Sequence, residues 1–169
     1  MSKIVRRLVC AGLFACLLSP AARAEEVSIA ITQAWIRATP GGSRVAGGYL
    51  VIENTGPVAD KLLSATTAAA RKIEIHEMAI TDGVMTMRPV EGGLPIRSGT
   101  TVKFAPGGLH LMMIGLSAPL LRGDKVAVSL KFEKAGTIAV TFDVQAMGAS
   151  APGPVSSATE PATDAATKM

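Results

Sequence analysis

Thiols are almost missing from this sequence. Of 169 residues only Cys10 and Cys16 are cysteine, and both lie in the opening segment. That segment has its own signature. Lys3, Arg6 and Arg7 form a positive region, Leu8 to Leu18 an apolar run, and Ala22-Arg23-Ala24 supplies the small residues a signal peptidase reads. Residues 1–24 are therefore expected to be a signal peptide cut after Ala24. The apolar run falls short of the roughly 20 residues that cross a bilayer, so no membrane span is expected. A lipobox at Leu13-Phe14-Ala15-Cys16 is the alternative, and Phe14 fits it poorly. Once the leader is removed, no thiol remains in a compartment where thiols oxidise. This excludes a thiolate metal site, a blue-copper centre and covalent c-type haem.

The basic pI near 9.3 is also a property of the leader. All 13 acidic residues lie beyond Ala24, whereas four of the 17 basic ones (Lys3, Arg6, Arg7 and Arg23) precede it, leaving 13 of each sign. Nothing in that balance calls for nucleic acid or an anionic membrane as partner. There are two histidines, and neither a Ser-His-Asp set nor paired carboxylates, so catalytic turnover is not expected and the chain reads as no enzyme. The pairs Gly41-Gly42, Gly47-Gly48, Gly92-Gly93 and Gly107-Gly108 read as turns or bulges, without a phosphate-loop context.

About 145 residues follow the leader, enough for one domain with a real core and no disulfides. Apolar residues recur with period two, in short runs broken by Gly, Pro, Asn and Asp. That predicts strands at Val27–Ile31, Ala34–Ala38, Gly48–Glu53, Arg71–Met78, Val84–Arg88, Thr100–Phe104, Leu109–Leu116, Lys125–Phe132 and Thr137–Gln145. Asp60 to Ala70 is the one stretch with a helical turn as its reading. The pattern implies an all-β antiparallel sandwich with Greek-key connections over residues 25–147, with a barrel as the alternative. Residues 148–169 carry three charges and no aromatic ring, and are expected to form a disordered Ala/Pro/Ser/Thr tail.

Against this background one stretch stands out. Both histidines and five of the eight methionines fall between His76 and Met113. If Asp82-Gly83 is a two-residue type I′ loop, Thr81 faces Val84, Ile80 faces Met85 and Met78 faces Met87. His76 then lies diagonal to Met87, within roughly 5–8 Å, and Glu77 meets Arg88 on the opposite face. His110 and Met112, two apart on a strand, share a side. Two imidazoles with thioethers make a neutral, soft donor set that selects Cu(I) over hard ions, which points to copper storage or transfer. Zinc, calcium and magnesium want other donors. Set against this, a lone His on a strand is more often structural and a lone Met more often core filler. Core filling is the simpler reading for Met85 and Met113. For His76, Met87, His110 and Met112 the coincidence favours metal, with Met78 and Met85 as further possible ligands. Trp35 and Tyr49 read as core or rim aromatics.

His76, the run Met87-Arg88-Pro89-Val90-Glu91-Gly92-Gly93 and the block Pro106-Gly107-Gly108-Leu109-His110-Leu111-Met112 resemble the periplasmic Cu(A) chaperone family, PCu(A)C or DUF461. The resemblance spans roughly Val27 to Gln145. The family motif is a His, ten residues, a Met, 21 residues and His-x-Met. Here ten residues separate His76 from Met87 and 22 separate Met87 from His110, the extra one falling in a Gly- and Pro-rich loop. Met85 thus competes with Met87 for the ligand role. The resemblance implies a cupredoxin-like β-sandwich holding one Cu(I) in an exposed site on His76, Met87, His110 and Met112, and the chain is expected to be a monomer. It further implies delivery of copper in the periplasm towards the Cu(A) site of cytochrome c oxidase, with an oxidase subunit or a Sco-type thiol protein as partner. The C-terminal tail, with no His and only Met169, does not suit a second, Cu(II) site. The alternative function is a secreted β-sandwich interaction or adhesion module without metal.

Overall fold

The computed structural model describes residues 27–81 and 83–153. The expected signal peptide, 1–24, lies outside the described residues, as does 154–169 of the expected tail. Ten strands follow one another: β1 Ile29–Arg37, β2 Val45–Asn54, β3 Asp60–Thr66, β4 Ala70–Thr81, β5 Val84–Pro89, β6 Leu94–Ile96, β7 Thr101–Lys103, β8 His110–Leu116, β9 Lys125–Phe132 and β10 Thr137–Gln145. Among the described residues no helix is long and apolar enough to cross a membrane.

The strands form an all-β, cupredoxin-like Greek-key sandwich. Their order is β5-β4-β8-β2-β1-β10-β9-β3-β6, with β7 also pairing β2. Among the described residues every pairing is antiparallel except β1 with β10, where the first and last of these strands run parallel and join the two layers. Inside, Ile75, Leu111 and Met113 of one layer and Val126, Val128, Leu130, Phe132, Phe142 and Val144 of the other belong to a single buried cluster. The period-two pattern of β9 works as the sequence predicts, with Val126, Val128, Leu130 and Phe132 inside and Lys125, Ala127 and Lys131 exposed.

Three segments depart from the sequence expectation, two of them at bulges. Val27–Ile31 and Ala34–Ala38 are not separate strands. Ile29 to Arg37 run as the single strand β1, whose register against β2 shifts between Thr32 and Trp35, with Gln33 left-handed at φ 52°. Asp60 to Ala70 is not helical, because its first seven residues form β3. There the register against β9 shifts between Leu62 and Ser64, so the buried positions are Asp60, Leu62 and Ala65. The bulge turns a spacing of two into three, and three is the interval a helix would show. The short β6 was not anticipated at all.

The chain does not leave the domain at Gly148. Residues 148–153 turn back along it, with the Arg37 guanidinium Nε donating to the Ala149 carbonyl at 2.7 Å.

Candidate metal centre

Strand β4 is the centre of the site. Its inward residues Ile73 and Ile75 pack on the core, so Glu74, His76 and Met78 point to the outer face. The β4–β5 register is the one the two-residue loop dictates: Thr81 opposite Val84, Ile80 opposite Met85, Met78 opposite Met87. Gly83 supplies the positive φ of 76° such a loop needs. Glu77 does face Arg88, yet the ion pairs among the described residues do not include them; these join Lys61 to Glu133, Lys72 to Glu74, and Lys125 to Asp143.

On its other side β4 pairs with β8, a step the sequence left as an assumption. His76 lies directly opposite His110, and Glu74 opposite Met112. The two imidazole rings stand 5.7 Å apart, centre to centre, at 70°. Both are shielded although they lie on the outer face: His110 is 5% exposed and the His76 side chain 13%. Met113, by contrast, points inward and is fully buried, which matches the core role expected for it.

The methionines take graded positions around this pair. Met78 is two residues from His76 on the same strand and diagonal to His110. Met112 is two residues from His110 and diagonal to His76. Met87 is diagonal to His76 from the β5 side and is 47% exposed, so its thioether is free to swing. Met85 faces Ile80, four residues beyond Pro89, the residue opposite His76. At about 3.4 Å per residue it lies about 14 Å along the strand from the imidazole pair. The register therefore brings His76, His110, Met78 and Met112 together, places Met87 within side-chain reach, and leaves Met85 apart.

The hydrogen bonding separates the two rings chemically. His110 Nδ1 lies 3.0 Å from the Gly108 carbonyl oxygen. His76 Nε2 lies 2.9 Å from Oε2 of Glu74, and its Nδ1 is buried without any hydrogen-bond partner. A buried polar atom left unpaired costs about 1–3 kcal/mol. An electron-pair acceptor such as a metal ion is the natural occupant of that position. The Lys72 ammonium, and after it the His76 imidazole, hold the Glu74 carboxyl below the usual carboxylate range. Sequence reasoning passed over Glu74, although the alternation Glu74-Ile75-His76 already put it on the imidazole's face.

Among the described residues no three His, Cys, Asp or Glu converge to hold a metal. The further side-chain donors the register puts beside the two imidazoles are thioethers, a set that favours a soft monovalent cation over a hard one.

The fold and this donor set define a β-sandwich with two imidazoles and several thioethers gathered on one outer face, and comparison with known proteins places the chain in a family. The family described as "Putative lipoprotein LpqE-like" matches residues 29–144, and the chain belongs to that family. A protein of Leifsonia xyli subsp. xyli (strain CTCB07), named "Putative lipoprotein Lxx21020", is 35% identical over 127 residues, which are 75% of this chain and 74% of the relative. Among solved structures the chain is similar to the copper-bound PCuAC domain from PmoF2, with 26% identity and a TM-score of 0.61 over 72% of this chain and 96% of that one. It is likewise similar to the Cu(I) form of DR1885 from Deinococcus radiodurans, with 28% identity and a TM-score of 0.55 over 75% and 83% of the two chains.

Proposed function

We propose that this protein is a Cu(I)-binding chaperone of the PCu(A)C (DUF461) type, a carrier and not an enzyme. The observation that carries the reading is the His76–His110 pair, juxtaposed across β4 and β8 with one imidazole nitrogen buried and unpartnered. One Cu(I) per monomer would be held by His76, His110, Met112 and Met87, with Met78 as the alternative thioether. The copper-bound PCuAC domain and Cu(I)-DR1885, each more than 25% identical, support copper as the metal.

Neutral ligands and an exposed Met87 suit transfer. A thioether is a weak ligand, and a thiolate on an acceptor outcompetes it for a soft ion. The chaperone would thus give copper up to a thiol-bearing partner, either a Sco-type protein or the Cu(A)-site subunit of cytochrome c oxidase. Such exchange belongs outside the cytoplasm, in the periplasmic space that the leader implies. Lipidation at Cys16, which the relatives' names bring back into view, would tether the domain at the membrane face. It would leave the ligand set unchanged, because a lipidated Cys16 carries a thioether and no thiolate.

X-ray absorption of the Cu(I)-loaded mature protein tests the ligand set. Mixed nitrogen and sulfur scattering at one copper per chain is expected, and a shell of nitrogen and oxygen alone contradicts it. Anaerobic mixing of the loaded protein with a reduced Sco-type protein or a soluble Cu(A)-site fragment tests delivery, with copper expected to move to the thiolate partner.

A further inference from the structure

We propose that Glu74 is a positioning residue that fixes the tautomer of His76, so that the two histidines offer copper unlike nitrogens: Nδ1 from His76 and Nε2 from His110. The proposal rests on the reading that this pair binds Cu(I), and it adds which atoms do so and what selects them.

A neutral imidazole has one N–H and one lone pair, and the partner of one nitrogen decides the role of the other. Glu74 and His76 are two apart on β4 and share its outer face. Oε2 of the carboxylate lies 2.9 Å from His76 Nε2. An ionised carboxylate only accepts hydrogen bonds, so Nε2 carries the hydrogen and the lone pair is left on Nδ1. That is the nitrogen the structure buries without a partner. His110 is reversed. Its Nδ1 lies 3.0 Å from the Gly108 carbonyl oxygen, which also only accepts, so Nδ1 carries the hydrogen and Nε2 is the donor.

Lys72 extends the arrangement. Its ammonium pairs with the other carboxylate oxygen, Oε1, giving a Lys72–Glu74–His76 chain along one face of one strand. Oε1 thus faces the ammonium and Oε2 the imidazole, which orients the carboxylate towards the ring. Glu74 lies opposite Met112, so the same carboxylate borders a candidate thioether ligand. Outer-shell partners of this kind commonly change metal affinity about 10- to 100-fold when removed.

The test uses the ¹⁵N-labelled mature protein and long-range proton–nitrogen correlations of the imidazoles above pH 7.5. In the metal-free protein His76 should carry its hydrogen on Nε2 and His110 on Nδ1. Anaerobic Cu(I), which is diamagnetic, should then shift His76 Nδ1 and His110 Nε2. Glu74→Gln leaves one accepting oxygen for two donors, Lys72 and His76, so with that oxygen on the ammonium the amide N–H turns towards His76 Nε2 and the His76 tautomers should be mixed or reversed. Glu74→Ala should give mixed His76 tautomers and a roughly 10- to 100-fold weaker Kd. A His76 hydrogen on Nδ1, an unchanged tautomer in Glu74→Ala, or a copper-induced shift at His76 Nε2 overturns the proposal. The expected tautomers with no copper-induced shift on either ring would instead overturn the copper reading itself.

Discussion

Removing the Asp60 carboxylate should unpin the turn between β9 and β10 and leave the candidate copper ligands untouched. Asp60 opens β3 and is 4% exposed. Its Oδ1 accepts from the backbone N–H of Lys61 at 2.7 Å and of Lys134 at 2.9 Å, and its Oδ2 from Ala135 at 2.9 Å. Burial works to raise its pKa, but the three backbone donors, aided by the charge of Lys134, outweigh it and hold the carboxyl below its usual value. Hydrogen bonds to a charged group contribute about 1.5–3 kcal/mol each, and an orphaned buried donor costs about 1–3 kcal/mol. Asp60→Ala strands all three donors, with water able to satisfy some of them, and should cost about 3–5 kcal/mol. Asp60→Asn keeps one accepting oxygen and should cost about 1–3 kcal/mol. For a domain of this size that is a loss in Tm of about 3–5 °C per kcal/mol. The pH dependence has a definite sign. A depressed folded-state pKa gives stability that is complete above the unfolded value of about 3.9 and is lost as pH falls through the folded value. The gap between wild type and Asp60→Asn, read by urea unfolding at each pH, should therefore be constant from pH 7 to 5 and shrink towards pH 3. An Asp60→Ala variant within 0.5 kcal/mol of wild type, on the ~1 kcal/mol scale of single hydrogen bonds, or a gap that persists undiminished to pH 3, would refute this reasoning.

Four further outcomes are expected. Cu(I) affinity should weaken below pH 6.5, the ordinary imidazole pKa being about 6.5, because a protonated ring cannot ligate; competition titrations at stepped pH read this directly. Met85→Leu should leave Cu(I) affinity unchanged while Met87→Leu and Met112→Leu lower it, and the reverse ranking of Met85 and Met87 would show that the β4–β5 register does not set the site. Gly83→Val should destabilise the hairpin by about 1–2 kcal/mol, since a β-branched residue is strained at φ 76°, as thermal unfolding would show. Leu111→Ala, which empties a fully buried position directly behind the site, should cost about 2–5 kcal/mol in the same assay.

The sequence made the site more legible than parts of the scaffold, and the reason is local. The β4–β5 register follows from a two-residue loop and a period of two, both short-range, so placing Met78 opposite Met87 needed no tertiary information. The β4–β8 pairing that sets His76 against His110 joins strands 34 residues apart at that point, and nothing local specifies it. β3 was misread because a single bulged residue converts the strand's interval into a helix-like one. The role of Asp60 could not be seen because its partners, Lys134 and Ala135, are more than 70 residues away and bind through backbone N–H groups that have no sequence signature. Glu74 was within reach: its position relative to His76 was readable, but acidic residues beside an imidazole are common, and only the geometry shows which nitrogen the carboxylate meets.

The central claim is that His76 and His110, with thioether help, bind one Cu(I). The most direct measurement is an anaerobic Cu(I) titration of the mature protein against a chromogenic chelator, with His76→Ala, His110→Ala, Met87→Leu and Met112→Leu in parallel. One equivalent should be withdrawn from the chelator by wild type, with each histidine variant the weakest binder and each methionine variant intermediate. No competition by wild type at micromolar Cu(I), or histidine variants that bind as tightly as wild type, would contradict the account.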